Sequence, residues 1–349
     1  MKKETLPEMP LARQPWRGPT IGEIAKASRV GTATVDRVLN GRDSVRESTR
    51  KKVLAALAQL DGRSDPHRAV PRRRIAFVCD SGASFARTLE TSLEAFCSPR
   101  SELECSFEAV TTADVEPIKF AQLLERAAEG AEALVVVARE DLTINRALRN
   151  IASRRVPVVC LTTDLPNSGR IAYVGNDQVN AGATAAYLMG KSVGDRPGKI
   201  LLVYSAPYRG QEEREVGFRR VLRAEFAQLE VDERVNSADD SDFVFQNVRR
   251  YAEEHGAPAG VYNVAAGNVG IGRALEAEGL GGKVIFIGHE LNANSRMLLE
   301  SGLMHFAIGH DVDREVALAI DCLRCEIEKR ARPTIASGSV RVYTKYNCN

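Results

Sequence analysis

PTIGEIAKASRVGTATVDRVLNGRDSVRESTRKKVLAALAQL, residues 19–60, decides how this 349-residue chain is read. Its apolar residues recur at helical spacing in three short blocks separated by turn residues. Thr20 followed by Glu23 is a capping box, with Ile21, Ile24 and Ala25 on one face of a first helix. Ser28 to Gly31 makes a turn, and a second helix runs from about Thr32 to Leu39, burying Val35, Val38 and Leu39. Asn40 and Gly41 end it, since both tolerate the left-handed backbone at a helix end. Ser44 and Glu47 form another capping box, opening a third helix with Val53, Leu54 and Leu57 turned inward. Two helices across a short turn, braced by a third, predict a helix-turn-helix, whose second helix enters the major groove of DNA.

The local charge agrees. Residues 1–74 hold 17 Lys+Arg and 8 Asp+Glu, and residues 75–349 hold 31 and 38, so the net +2 of the whole chain conceals a basic amino end. A basic module of this kind is the electrostatic footprint of phosphate binding. The alternative is a small helical protein-interaction domain with solvated basic faces.

ATVDRVLNG (33–41), followed by VRESTRKKVLAAL (45–57), resembles the DNA-binding headpiece of the lac-repressor (LacI) family. The resemblance implies that Thr32 and Ala33 face base edges. Arg37 would read guanine, because one guanidinium can bond O6 and N7 together. Asn40, Thr49 and Arg50 would hold backbone phosphates, which positions the protein without reading sequence. Thr20 and Thr34 belong to the same DNA-facing set. Gly31 departs from the Ser that caps this helix in many relatives, and Ala33 can touch a thymine methyl but cannot hydrogen-bond. The implied partner is double-stranded operator DNA, bound by a homodimer.

Composition narrows the rest. Hydrophobic content is 44% with only 6% aromatic, as in an ordinary soluble α/β protein. No run approaches the roughly 18 apolar residues of a membrane span, so no membrane partner is expected. Residues 1–19 carry four prolines and no apolar h-region, and read as a disordered tail rather than a signal peptide. Seven scattered cysteines read as thiols of a reducing cytoplasm. Cys322-x-x-Cys325 lies in an amphipathic stretch without a second pair or nearby histidines, which argues against a metal or redox site. No metal and no cofactor is expected.

Residues 62–74, within QLDGRSDPHRAVPRRR (59–74), read as a basic linker after a DNA-binding domain at 20–61. LacI relatives carry a hinge helix here that wedges a leucine into the minor groove. That pattern is missing: no Leu follows Pro66, and Pro71 forbids a long helix. The expectation is an extended linker touching DNA through Arg63, Arg68 and Arg72 to Arg74, with Val70 the one candidate wedge.

From Ile75 onward short apolar runs alternate with amphipathic stretches. Eleven strands are expected, at 75–79, 103–110, 133–138, 157–161, 172–175, 200–204, 229–235, 259–264, 283–288, 304–309 and 340–344. Apolar strands separated by helices imply parallel sheets covered on both faces. Eleven are too many for one sheet of usual size, so two sheets are expected.

GNDQVNAG (175–182), REVGFRRVL (214–222), GNVGIGRAL (267–275), FIGHEL (286–291) and AIGHD (307–311) resemble landmarks of type I periplasmic sugar-binding proteins, the fold LacI-family regulators use as effector domain. The expected fold class is therefore α/β: a three-helix helix-turn-helix headpiece plus a two-lobed, periplasmic-binding-protein-like domain at 75–349. Lobe 1 would take about 75–175 and 310–335, and lobe 2 about 176–309 and 336–349.

The resemblance implies a ligand in the cleft at the strands' carboxyl ends. Arg214 would grip hydroxyls, Asn268 follows Gly267 at a strand-to-helix turn, and Glu290 with His310 would supply acceptors beside His289 and Asp311. From lobe 1 the candidates are Asp80, Ser84, Phe85 (as a stacking face), Arg139 and Thr162 or Asp164. The implied function is transcriptional repression of a catabolic or transport operon, controlled by a sugar, polyol or derivative. Two alternatives remain: a DNA-binding protein with a vestigial cleft, or an enzyme built on His289, Glu290, His310 and Asp311. Against the enzyme, no Gly-x-Ser-x-Gly elbow, His-Glu-x-x-His or Walker loop is present.

Overall fold

In the computed structural model, which describes residues 19–40, 45–60 and 72–348, Thr20 caps α1 (Ile21–Ser28). Its hydroxyl accepts from the Glu23 amide at 3.3 Å and its own backbone amide donates to the Glu23 carboxylate at 2.7 Å, completing the expected capping box. Arg29 closes the helix in the left-handed conformation, at φ 55°. The second helix, α2 (Thr32–Leu39), ends differently from expectation: Asn40 sits at φ −91°, ψ 10°, outside the left-handed region. Its amide Nδ2 bonds the Asp36 carbonyl at 3.0 Å and the Asp36 carboxylate at 2.8 Å, so the side chain closes the helix without a left-handed turn. The third helix is α3 (Glu47–Leu60); Gly41 and the Ser44 cap lie outside the described residues.

Ile24, Val35, Val38, Val53 and Ala56 form the core of this unit. Three residues expected inside are not: Ile21, Leu39 and Leu54 are 41%, 40% and 48% exposed. Leu39 and Leu54 each follow a buried valine in sequence, which places them about 100° further round the helix and off the narrow stripe that two neighbours can cover.

The chain divides into two units between residues 71 and 72. β1 (Arg73–Ser81) begins earlier than its apolar run suggests. Arg73 and Arg74 pair in parallel with Leu103 and Glu104 of β2 (Leu103–Thr111), and Arg73 Nη1 lies 2.8 Å from Glu132. These two arginines thus belong to the sheet and not to the linker. Residues 61–71, with Arg63, Pro66, Arg68, Val70 and Pro71 and hence the hinge expectation, lie outside the described residues.

Next come α4 (Ala83–Cys97), α5 (Pro117–Gly130), β3 (Ala133–Val137), α6 (Leu142–Ser153), β4 (Val158–Leu161) and β5 (Ala172–Val174). The first sheet runs β2-β1-β3-β4-β5, parallel throughout. Strand alternation splits the core in two. Ile75, Phe77 and Cys79 pack with Leu89 and Leu93 of α4, while Ala76 and Val78 pack with Phe120, Leu124, Ile144 and Leu148 of α5 and α6. Each such large aliphatic side chain contributes roughly 1.5–3 kcal/mol by leaving water.

The chain then crosses to a second lobe: α7 (Gln178–Val193), β6 (Gly198–Tyr204), α8 (Arg209–Glu225), β7 (Leu229–Asn236), α9 (Ser241–His255), β8 (Gly260–Asn263), α10 (Asn268–Ala277), β9 (Ile285–His289), α11 (Ala293–Glu300) and β10 (Phe306–Gly309). It crosses back with α12 (Val312–Ile327), whose Val316, Ile320 and Leu323 join the first lobe's core, and returns with β11 (Arg341–Tyr343). The second sheet runs β11-β10-β9-β8-β6-β7. Its β11 is antiparallel to β10, a departure from the all-parallel expectation, because the returning chain adds itself to the sheet edge from the opposite end.

The thiol expectation also needs one correction. Cys97, at the end of α4, and Cys105 on β2 form a disulfide, while Cys79, Cys160, Cys322, Cys325 and Cys348 are free and buried.

Candidate functional site

On the headpiece, α2 presents one polar face. Thr32, Ala33, Arg37 and Asn40 are exposed and Thr34 half-buried, opposite the buried Val35 and Val38. Gly31 caps this helix without any side-chain bond, which leaves its first amides open to an acceptor. Thr49 and Arg50 are half-buried in the first turn of α3. Asn40 is the least available of the set, since its amide is spent on Asp36. Thr20 is engaged with Glu23 in the same way.

In the two-lobed unit, each sheet reverses its winding beside its first strand, with β1 between β2 and β3, and β6 between β7 and β8. Loops diverge at such points and leave a crevice at the carboxyl ends. A cleft of about 780 Å³ is lined from both lobes by residues just beyond these ends.

Its second-lobe wall is built around Arg214. Gly182 of α7 and Gly217 of α8 let the helices touch: a Cβ on Gly182 would fall 1.8 Å from the Arg214 carbonyl, and one on Gly217 1.9 Å from that of Val179. This contact brings Arg214 beside Gln178. Arg214 Nε donates to Gln178 Oε1 at 2.7 Å, Nη1 to the Val264 carbonyl at 2.9 Å, and Nη2 lies 3.6 Å from Glu290. Asn268 follows Gly267, whose φ of +92° suits glycine alone. The Asn268 amide accepts from Asn263 at 2.7 Å and donates to the His289 carbonyl at 3.0 Å. Glu290 is held at φ 67°, a conformation costly for a non-glycine residue and typical of ligand sites.

Behind Glu290 stands His310. Its Nε2 is 3.1 Å from Glu290 and its Nδ1 2.7 Å from Glu315 of α12, so it ties the second lobe to the first. Burial alone would discharge this imidazole. The two carboxylates outweigh it and hold the pKa at about 10. Glu290 shows the complement: burial raises its pKa, but His310 and Arg214 bring it below the usual carboxylate value. His289, buried beside Arg214 and His310, is pushed well below 6.5 and stays neutral, bonded to Tyr262 at 2.9 Å.

On the first lobe, Asp80, Ser84 and Phe85 line the cleft. Asp80 is fully buried, gripped by Arg139 Nε at 2.6 Å and Nη2 at 2.8 Å. Three sequence candidates stand off the cleft surface. Arg139 backs Asp80, His310 backs Glu290, and Asp164 turns away to a two-point pair with Arg170, one bond of which is 2.6 Å. The reason for the last is Thr162, whose left-handed backbone (φ 62°) redirects the chain after β4, leaving Thr162 and Thr163 on the cleft.

Four cleft residues escaped the sequence reading: Gln178, Tyr208, Asp239 and Thr163. They join the lobes. Tyr208 donates to Asp80 at 2.5 Å, Thr112 to Asp239 at 2.5 Å, the Gly210 amide to Thr163 at 3.1 Å, and Gln178 to the Thr162 carbonyl at 2.9 Å. Burial pushes the Asp239 carboxyl up. Asp239 and Ala238 both hold left-handed backbone, which no sequence pattern marks. Among the described residues no group of His, Cys, Asp or Glu is placed to hold a metal ion.

Comparison with known proteins matches residues 75–329 to the periplasmic binding protein domain family and residues 20–61 to the bacterial regulatory proteins of the lacI family. The headpiece is 50% identical over 44 residues to catabolite control protein A of Streptococcus mutans. It is 50% identical over 44 residues to the HTH-type transcriptional regulator RegA of Clostridium acetobutylicum as well. Each match spans 13% of this chain and 13% of the relative. A solute binding protein of an ABC transporter from Burkholderia graminis, in complex with D-arabinose, aligns with a TM-score of 0.72 at 19% identity, covering 79% of this chain and 97% of that one. At that identity the likeness is one of fold.

Proposed function

The chain belongs to the periplasmic binding protein domain family and carries a headpiece of the lacI family of bacterial regulatory proteins, and on that premise we propose that it is a sugar-sensing transcriptional regulator. In this reading it acts in the cytoplasm as a homodimeric repressor of a catabolic or transport operon. It binds and performs no catalysis, and it needs no cofactor beyond its effector.

The observation that carries the reading is Arg214. Its guanidinium is buried in the cleft wall, held edge-on by Gln178 and the Val264 carbonyl, with Glu290 alongside as an acceptor. Charged donors and acceptors set side by side make short bonds to neighbouring hydroxyls, the grouping that polyols offer. The Burkholderia graminis protein was solved in complex with D-arabinose, which agrees with an effector of that chemistry.

Thermal melting of the purified protein against a carbohydrate panel tests this. An effector at a hundred times its Kd adds about 2.7 kcal/mol of stability. Arg214→Ala strands partner hydroxyls in a partly dry site, costs on the order of 1–3 kcal/mol of binding, and so shrinks the shift. Wild-type effector affinity in the variant would remove Arg214 from the site.

A further inference from the structure

The cleft is larger than one sugar needs. A hexose at interior packing density fills on the order of 200 Å³, against a cleft of about 780 Å³. The excess is not spread evenly. At the amino end of α4 the lobes meet: a Cβ on Gly82 would lie 2.9 Å from that of Ala266 and 3.0 Å from that of Asp239. Tyr208 and Thr112 bond across at the same end, to Asp80 and Asp239. The cleft continues in the other direction, along α4 as far as Ala95. From Ser84 to Ala95 a helix rises about 16 Å, well beyond one sugar ring.

The chemistry of that extension is specific. Arg87, Thr88, Thr91 and Ser92 recur at helical spacing along the cleft side of α4, while the exposed Glu90 and Glu94 do not line it. Asn292 and Asn294, at the start of α11, supply the facing wall. Hydroxyls and amides on both sides carry no net charge. Among the described residues of this extension the one cation is Arg87, and it shares its wall with Asp313, which accepts from Ser92 at 2.6 Å. An outer phosphate or carboxylate would meet that aspartate. A neutral ring of hydroxyls meets partners on both walls.

We propose that the effector is a neutral two-ring sugar, a disaccharide or glycoside, whose second ring lies between α4 and the start of α11. This rests on the reading of the cleft as a sugar site. The inner ring takes Arg214, Asn268 and Glu290, and the outer ring takes Thr91, Arg87 and Asn294.

The test titrates disaccharides (maltose, trehalose, cellobiose, lactose, sucrose and melibiose) and their constituent monosaccharides against the full chain by calorimetry. At least one disaccharide is expected to bind tenfold or more tightly than either constituent. Thr91→Trp, which fills the mouth from an exposed position, should bring that ratio to about one, and Asn294→Ala should reduce it about threefold to tenfold. A monosaccharide that binds as tightly as every disaccharide overturns the proposal, as does a ratio untouched by both substitutions in folded protein. Silence from sugars of both sizes overturns the sugar reading itself and this inference with it.

Discussion

At the scale of single residues, His310 concentrates the electrostatics of the cleft. Its pKa rises from 6.5 to about 10 because Glu290 and Glu315 bond both ring nitrogens and outweigh the cost of burial. A group raised on folding contributes stability fully below its unfolded pKa, and that contribution is lost as pH climbs to the folded one. Stability from His310 is therefore full below 6.5 and drains between 6.5 and about 10. Removing one partner of a buried ionic cluster costs about 3 kcal/mol or more. His310→Gln should thus melt well below wild type in mildly acidic buffer, with the gap narrowing as pH approaches the folded value. A gap that stays constant across that range would mean that the imidazole is neutral throughout. Asp164 teaches the opposite lesson. It stood at a strand end in sequence as plausibly as Thr162, but the left-handed turn at Thr162 keeps that residue on the cleft and sends Asp164 to Arg170. Backbone conformation at one non-glycine residue chose between them, and no sequence pattern marks that choice.

At the scale of elements, the sequence was most readable where one physical rule acts alone. All eleven expected segments overlap a strand. The central ones, such as β3 and β4, are short apolar runs because strands buried on both faces leave little choice of residue, while the edge strand β2 alternates and is half open. The direction of β11 and the cross-lobe bonds of Tyr208 and Asp239 depend on which distant parts meet, so local pattern is silent on them. Tyr208→Phe tests one such bond. Loss of the hydroxyl between Asp80 and Thr112 should cost about 1 kcal/mol and let the ligand-free lobes separate more often, read as a larger radius of gyration in solution scattering. Unchanged melting and radius would show that the bond contributes nothing. On the headpiece, the proposed DNA-binding role divides between α2 and α3. Arg37→Ala should cost roughly 1–3 kcal/mol on the operator and relax one base position, while Arg50→Ala should weaken all sequences alike and flatten the salt dependence by about one unit. Equal losses on specific and nonspecific DNA in both variants would contradict that division.

At the scale of the whole molecule, one headpiece of three short helices reads only a few base pairs, so useful specificity calls for two copies on a two-fold operator. A monomer mass at micromolar concentration, with and without operator, would contradict the dimer. In the proposed function, cleft and headpiece are coupled: a sugar held by Arg214 should change how tightly the headpiece binds DNA. By linkage, operator and effector must alter each other's affinity by the same factor. The direct measurement is operator affinity, by fluorescence anisotropy at fixed salt, with and without the sugar that most raises the melting temperature. Wild type should change its operator affinity about fivefold or more, a change that disappears in Arg214→Ala, while the variant's affinity without sugar is unaltered. A sugar that binds the cleft and leaves operator affinity the same in wild type would contradict it.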